Sequence, residues 1–165
     1  MRDPTVRITR RGFLVATAAA PIAGLGQSQG NAPARPPAIA PELVREFVIA
    51  AHGNLDKTKQ MLESEPGLLN ATWDWGGGDF EMAIGGAGHM GRRDIAEYLI
   101  GKGGRYDLFV AAMLGQLDVV KGVLSANPSL KSSLGPHGIS LTRHAEKGGD
   151  QAAAVLEYLR SIGAD

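Results

Sequence analysis

Cysteine is absent from all 165 residues, which removes disulfide staples, thiolate metal sites and thiol nucleophiles together. Stability must come from packing. The chain also lacks charge of one sign: net charge is zero and no run of like charges exceeds two residues, so the electrostatic footprint of a nucleic-acid binder is missing. No apolar stretch approaches the ~20 residues of a membrane span. Alternating β-branched runs of useful length are absent too, which argues against strands. Catalytic signatures are lacking as well, since there is no Gly-x-Ser-x-Gly elbow, no Gly-x-x-x-x-Gly-Lys cradle and no His-Glu-x-x-His helix. What remains is 44% apolar and 21% charged, the composition of one ordinary globular domain.

The N-terminus is set apart by composition. Arg2, Arg7, Arg10 and Arg11 precede an uncharged stretch from Gly12 to Leu25, followed by a breaker-rich segment holding Gly30, Pro33, Pro36, Pro37 and Pro41. This is the layout of a secretory signal. The string Thr9-Arg10-Arg11-Gly12-Phe13-Leu14 resembles a twin-arginine export signal, whose passengers cross the membrane already folded. Cleavage is expected after Ala32-Pro33-Ala34 rather than after Ala18-Ala19-Ala20, because Pro21 follows the latter. Residues 1–34 are thus read as a signal peptide, 35–41 as a linker and 42–165 as the folded domain. Removing the signal leaves 13 basic and 16 acidic residues, a mildly acidic periplasmic protein with no stable membrane insertion.

Within the domain a small-residue run ending in glycine opens an amphipathic stretch closing on leucine, four times. The marker glycines Gly53, Gly91, Gly115 and Gly148 lie 38, 24 and 33 residues apart, and the closing leucines Leu62, Leu99, Leu124 and Leu159 lie 37, 25 and 35 apart. Two independent markers agree within two residues. Such self-similarity means stacked helix–turn–helix units that bury a core only through their neighbours and present an extended binding surface. Over Pro41 to Asp165 the chain resembles the ankyrin repeat, on Phe-Val-Ile-Ala-Ala-His-Gly (47–53), Val-Ala-Ala-Met-Leu-Gly-Gln-Leu-Asp-Val-Val (110–120) and the terminal Ile-Gly-Ala-Asp. The resemblance implies an all-α, ankyrin-like solenoid of about four repeats. No copy carries the family's Thr-Pro-Leu-His start; Ser140-Leu141-Thr142 is the nearest approach. The 24-residue step between the second and third copies leaves almost no room for a β-hairpin finger.

Local signals give the helices. Leu43, Val44, Phe47, Val48 and Ala51 recur at helical intervals, Asn54 is placed to cap the partner helix, and Glu65-Pro66-Gly67 ends it. Leu117, Val120, Val123 and Leu124 form the stripe of the third copy, stopped by Asn127-Pro128. Ala152, Val155, Leu156, Leu159 and Ile162 repeat it in the fourth.

Recognition centres on the connection between copies one and two, which holds both tryptophans: Trp73, Asp74, Trp75, Gly76, Gly77, Gly78, Asp79 and Glu81. Three glycines let a backbone approach a ligand, and aromatics interleaved with carboxylates offer contact area at low entropy cost. The competing reading packs both tryptophans on the first helix pair around a tight turn. His137, in Gly-Pro-His-Gly before copy four, is a second candidate. Arg92 and Arg93 beside His89 suggest ion pairs to Asp79 and Glu81, or a clamp on an anion. His52, His89 and His144 fall near the ends of first helices, so any metal site they form must be assembled between repeats; capping and hydrogen bonding is their ordinary role, and neither metal nor cofactor is assigned. The leading expectation is a monomeric, non-enzymatic interaction module holding an unidentified protein partner through the 73–81 finger and concave helices. The alternative is a small-molecule or metal-binding protein, or a hydrolase, with its site between the glycine-rich finger and the second repeat.

Overall fold

Helix boundaries follow the punctuation of the sequence. The computed structural model describes residues 35–164, so the export segment lies outside the described residues. Helix α1 (Pro41–Ala51) opens on a proline, whose missing N–H is harmless in a first turn. Asn54 caps α2 (Leu55–Ser64), its side-chain oxygen accepting the Lys57 N–H at 2.9 Å. A 3-10 turn over Pro66–Asn70 follows, then strands β1 (Thr72–Asp74) and β2 (Phe80–Met82). Three further helix pairs complete the order: α3 (Ala83–His89) with α4 (Arg93–Gly101), α5 (Leu108–Met113) with α6 (Leu117–Ala126), and α7 (Leu141–Lys147) with α8 (Ala153–Ser161). Asp107 and Ser140 cap α5 and α7.

The first helices pack in chain order, α1 on α3, α3 on α5 and α5 on α7, while α2 meets α4 and α6 meets α8. Each pair therefore lends its neighbour the apolar cover that a single helical hairpin lacks. Phe47, Leu68, Ile84, Ile95, Leu99 and Met113 are buried towards one end of this arrangement, and Val120, Leu124, Leu141, Val155 and Leu159 towards the other.

Two sequence expectations need correction. The domain is mostly helical but contains an antiparallel hairpin, pairing Thr72 with Met82, Trp73 with Glu81 and Asp74 with Phe80. Its strands are three residues each, too short to show a two-residue alternation. As the spacing implied, the connection from α4 to α5 has no strand. The marker glycines also differ in role. Gly115 turns with φ 72°, and an added Cβ there would collide with the Gln151 carbonyl. In the fourth pair Gly148 stays right-handed at φ −72°, where an added Cβ would strike the Met113 carbonyl, and Gly149 takes the left-handed turn at φ 60°.

Candidate functional site

The hairpin tip takes backbone angles that favour glycine. Gly76, Gly77 and Gly78 all have positive φ, at 121°, 66° and 89°, which costs side-chain-bearing residues sterically. Asp74 Oδ1 accepts the Gly76 N–H at 2.8 Å, and the Trp75 N–H donates to the Asp79 carbonyl at 2.9 Å, closing the loop. Strand β2 then aims Glu81 inward, where its side chain is wholly buried.

Four side chains converge on Glu81, Trp75 and His89 from nearby in sequence and His52 and His137 from far away. The Trp75 indole N–H donates to Oε2 at 2.8 Å. His52 Nε2, from the C-cap of α1, lies 3.5 Å from the same oxygen, and His137 Nε2 lies 3.4 Å from it. His89, the last residue of α3, places Nε2 2.9 Å from Oε1. That approach lacks hydrogen-bonding geometry, so buried Oε1 accepts no hydrogen bond; His89 instead meets His52, Nε2 to Nε2, at 3.1 Å. One donor atom from each of His52, Glu81, His89 and His137 falls within 4.8 Å of all the others. These four are the group among the described residues whose donors can share an ion.

Small residues on α3 make this convergence possible. A Cβ on Gly86 would sit 2.6 Å from the His52 ring, so the glycine run of α3, poor in helix propensity, leaves room for an imidazole against the helix. His52 Nδ1 donates to the Val48 carbonyl at 2.8 Å, which in the neutral ring leaves Nε2 as the lone pair. His137 is the non-glycine residue with positive φ, 60°, among the described residues. Asp79 holds it there, accepting from its backbone N–H at 2.9 Å and from Nδ1–H at 2.7 Å. Its Nε2 is therefore also a lone pair.

Electrostatics agree with the geometry. The backbone N–H of His137 is the chief reason that the Asp79 carboxyl lies below its ordinary value. Burial pushes the Glu81 carboxyl up, but close His89, the Trp75 indole and the neighbouring imidazoles together outweigh it, so Glu81 also lies low. Burial pulls His144 down; it sits beside the cluster with its ring centroid 6.4 Å from that of His89, and Nδ1 donates to the Ser140 carbonyl.

Two grooves flank the centre. One, of about 680 Å³, runs between the hairpin and the 134–138 connection, with Phe80, Met82, Phe109, Leu134 and Pro136 as apolar walls and Asp79 and His137 at its edge. The other, of about 580 Å³, borders His89 and carries Arg143, Glu146 and Lys147.

Of the residues singled out from sequence, Trp75, Asp79, Glu81, His89 and His137 come together. Asp74 and Gly76–Gly78 form the turn that carries them. Trp73, paired across the hairpin from Glu81, packs half-buried against the core. Arg92 and Arg93 correct the expected ion pairs: neither meets Asp79 or Glu81. Arg92 binds Asp94 and the Gly53 carbonyl, and Arg93 reaches the Met113 and Leu114 carbonyls at 3.2 Å. There it meets the negative end of α5. His52, which the sequence offers only with His89 and His144 as members of a site assembled between repeats and not among the binding residues, joins the centre; its place at a marker glycine, in register with His89, was the available signal. No family model matches the chain, and no curated protein matches it significantly.

Proposed function

We propose that this chain is a ligand-binding protein on an ankyrin-type helical-repeat scaffold, exported to the periplasm, with its site between the glycine-rich hairpin and the second helix pair. One observation carries the reading: a fully buried carboxylate keeps one oxygen without a hydrogen bond while three imidazoles from separate segments crowd it beside open grooves. Evolved interiors rarely leave a buried charge so, because an unsatisfied buried carboxylate costs more than an apolar replacement. A ligand that engages Glu81 explains the arrangement. The ankyrin-type scaffold is supported by the four successive helix pairs, the neighbour-to-neighbour packing of first helices and the hairpin before the second pair. The twin-arginine string supports export, and no helix among the described residues is long and apolar enough to cross a membrane.

The test is tryptophan fluorescence, since Trp75 touches Glu81. Titrating the untagged protein with small amines, carboxylates, phosphates and divalent metals produces a saturable shift for the true ligand class, and Glu81→Gln abolishes it. No shift across the panel, or a shift that survives Glu81→Gln in a folded protein, overturns the reading.

A protein partner is the second reading, favoured by one observation: Phe80 and Leu134 are each 61% exposed and share one groove. Trp75 is committed inward, so the partner face of the finger is Phe80 rather than the tryptophans. Phe80→Ser with Leu134→Ser then abolishes capture of a periplasmic protein while leaving the fluorescence response intact.

A further inference from the structure

We propose that the ligand of this site is a divalent transition-metal ion held by Nε2 of His52, His89 and His137 and by the Glu81 carboxylate. This rests on the ligand-site reading above and names the ligand.

The donor atoms are spaced for such an ion. Tetrahedral coordination with bonds of about 2.0–2.1 Å sets neighbouring donor atoms about 3.3 Å apart. The separations, 3.1 Å between Nε2 of His52 and His89, 2.9 Å from His89 to Glu81 Oε1, and 3.5 and 3.4 Å from His52 and His137 to Glu81 Oε2, lie around that value.

The supply of hydrogens points the same way. Nδ1–H of His52 is spent on Val48 and Nδ1–H of His137 on Asp79, so two imidazole lone pairs and two carboxylate oxygens face one another. Trp75 and His89 supply the donors among them, and Oε1 stays without a hydrogen bond. The hydrogen-bonded arrangement leaves Oε1 and the His137 Nε2 without a donor; a cation engages all four side chains, the His89 hydrogen moving from Nε2 to Nδ1 as the ion binds. The outward hydrogen bonds to Val48 and Asp79 are of the kind that fix tautomer and ring orientation in metal-binding histidines, the Asp79–His137 pair forming a carboxylate–histidine–metal relay.

The donor set also selects the ion. Three imidazoles and one carboxylate in a tetrahedral shell, without sulfur, suit Zn²⁺ or Co²⁺ rather than the oxygen-seeking Mg²⁺ and Ca²⁺. Four protein ligands fill a tetrahedral shell, the pattern of structural sites. They come from the end of α1, strand β2, the end of α3 and the connection before α7, so the ion ties together elements that no disulfide can join.

The experiment uses the untagged full chain, stripped with EDTA, moved to metal-free buffer and titrated calorimetrically with ZnCl₂. One ion binds per chain, and Mg²⁺ in large excess does not displace it. His52→Gln and His137→Asn each weaken Zn²⁺ binding at least about tenfold with helicity unchanged by circular dichroism, while His144→Gln leaves affinity intact. Asparagine is chosen at position 137 because it accepts the left-handed backbone. Should either variant unfold, the visible spectrum of Co²⁺ bound to the native chain gives the tetrahedral bands expected or, if octahedral, overturns the proposal. Absence of stoichiometric Zn²⁺ binding to the folded native chain, or affinity unchanged in both variants, overturns it too. Silence towards metals alongside an organic ligand that requires Glu81 removes the metal but keeps the ligand site; silence towards both removes both.

Discussion

His137 and Asp79 are 58 residues apart in sequence, yet one carboxylate accepts both the backbone N–H and the ring Nδ1–H of that histidine, at 2.9 and 2.7 Å. The pair fastens the connection before the fourth helix pair to the hairpin before the second. It also decides chemistry, because it fixes the tautomer that turns the His137 Nε2 lone pair towards Glu81.

Asp79 never touches the shared donor atoms, so its replacement tests positioning alone. Asp79→Asn weakens Zn²⁺ binding by about 10–100-fold, the usual cost of losing an outer-shell partner, while His144→Gln does not. Calorimetry on the two variants checks this, and equal affinities would remove the relay from the account.

Trp75 and Trp73 predict unequal costs. Trp75→Phe takes the indole donor from buried Glu81 Oε2 and destabilises the metal-free protein by about 1–3 kcal/mol. Trp73 makes no such bond, so Trp73→Phe costs less. Urea denaturation of both variants decides; equal losses would mean that the indole N–H contributes nothing.

Burial holds His144 below its ordinary 6.5, and the sign of the consequence is fixed. The unfolded chain takes up the proton at higher pH than the folded one, so stability falls as pH drops below about 6.5 and stops falling below the folded value. His144→Phe keeps a ring in the core and removes this component of the slope. Denaturation of the metal-free protein between pH 7.5 and 5 in roughly half-unit steps tests it; an unchanged slope contradicts it.

Glycine substitutions separate geometry from propensity. Gly115→Ala places a methyl against the Gln151 carbonyl at φ 72° and costs more than about 2 kcal/mol. Gly122→Ala, within α6 with nothing near the added methyl, stabilises by up to about 1 kcal/mol. Thermal melts of the pair read both directions at once.

The helices were legible because their signals are local. The Asn54 cap, the prolines at 66 and 128 and the apolar stripes each act within a turn or two of their own position. The hairpin was not, since its pairing depends on Trp73 and Glu81 facing inward rather than on strand length. Arg92 and Arg93 were misread for a related reason. Their nearness in sequence to His89 suggested the finger, but α4 starts on the side where Arg93 meets the carbonyl end of α5. The site itself was half legible: its residues were nearly all suspected, whereas their convergence depends on Gly86 and Gly88 letting the end of α1 and α5 approach α3 closely, and on a contact 58 residues long in sequence.

The most direct measurement of the central claim is the X-ray absorption spectrum at the zinc edge of the loaded, untagged chain. The account predicts a four-coordinate shell of nitrogen and oxygen at about 2.0–2.1 Å, with the outer-shell scattering of three imidazoles, one of them lost in His137→Asn. A six-coordinate shell of oxygens, or a spectrum without imidazole scattering, would contradict it.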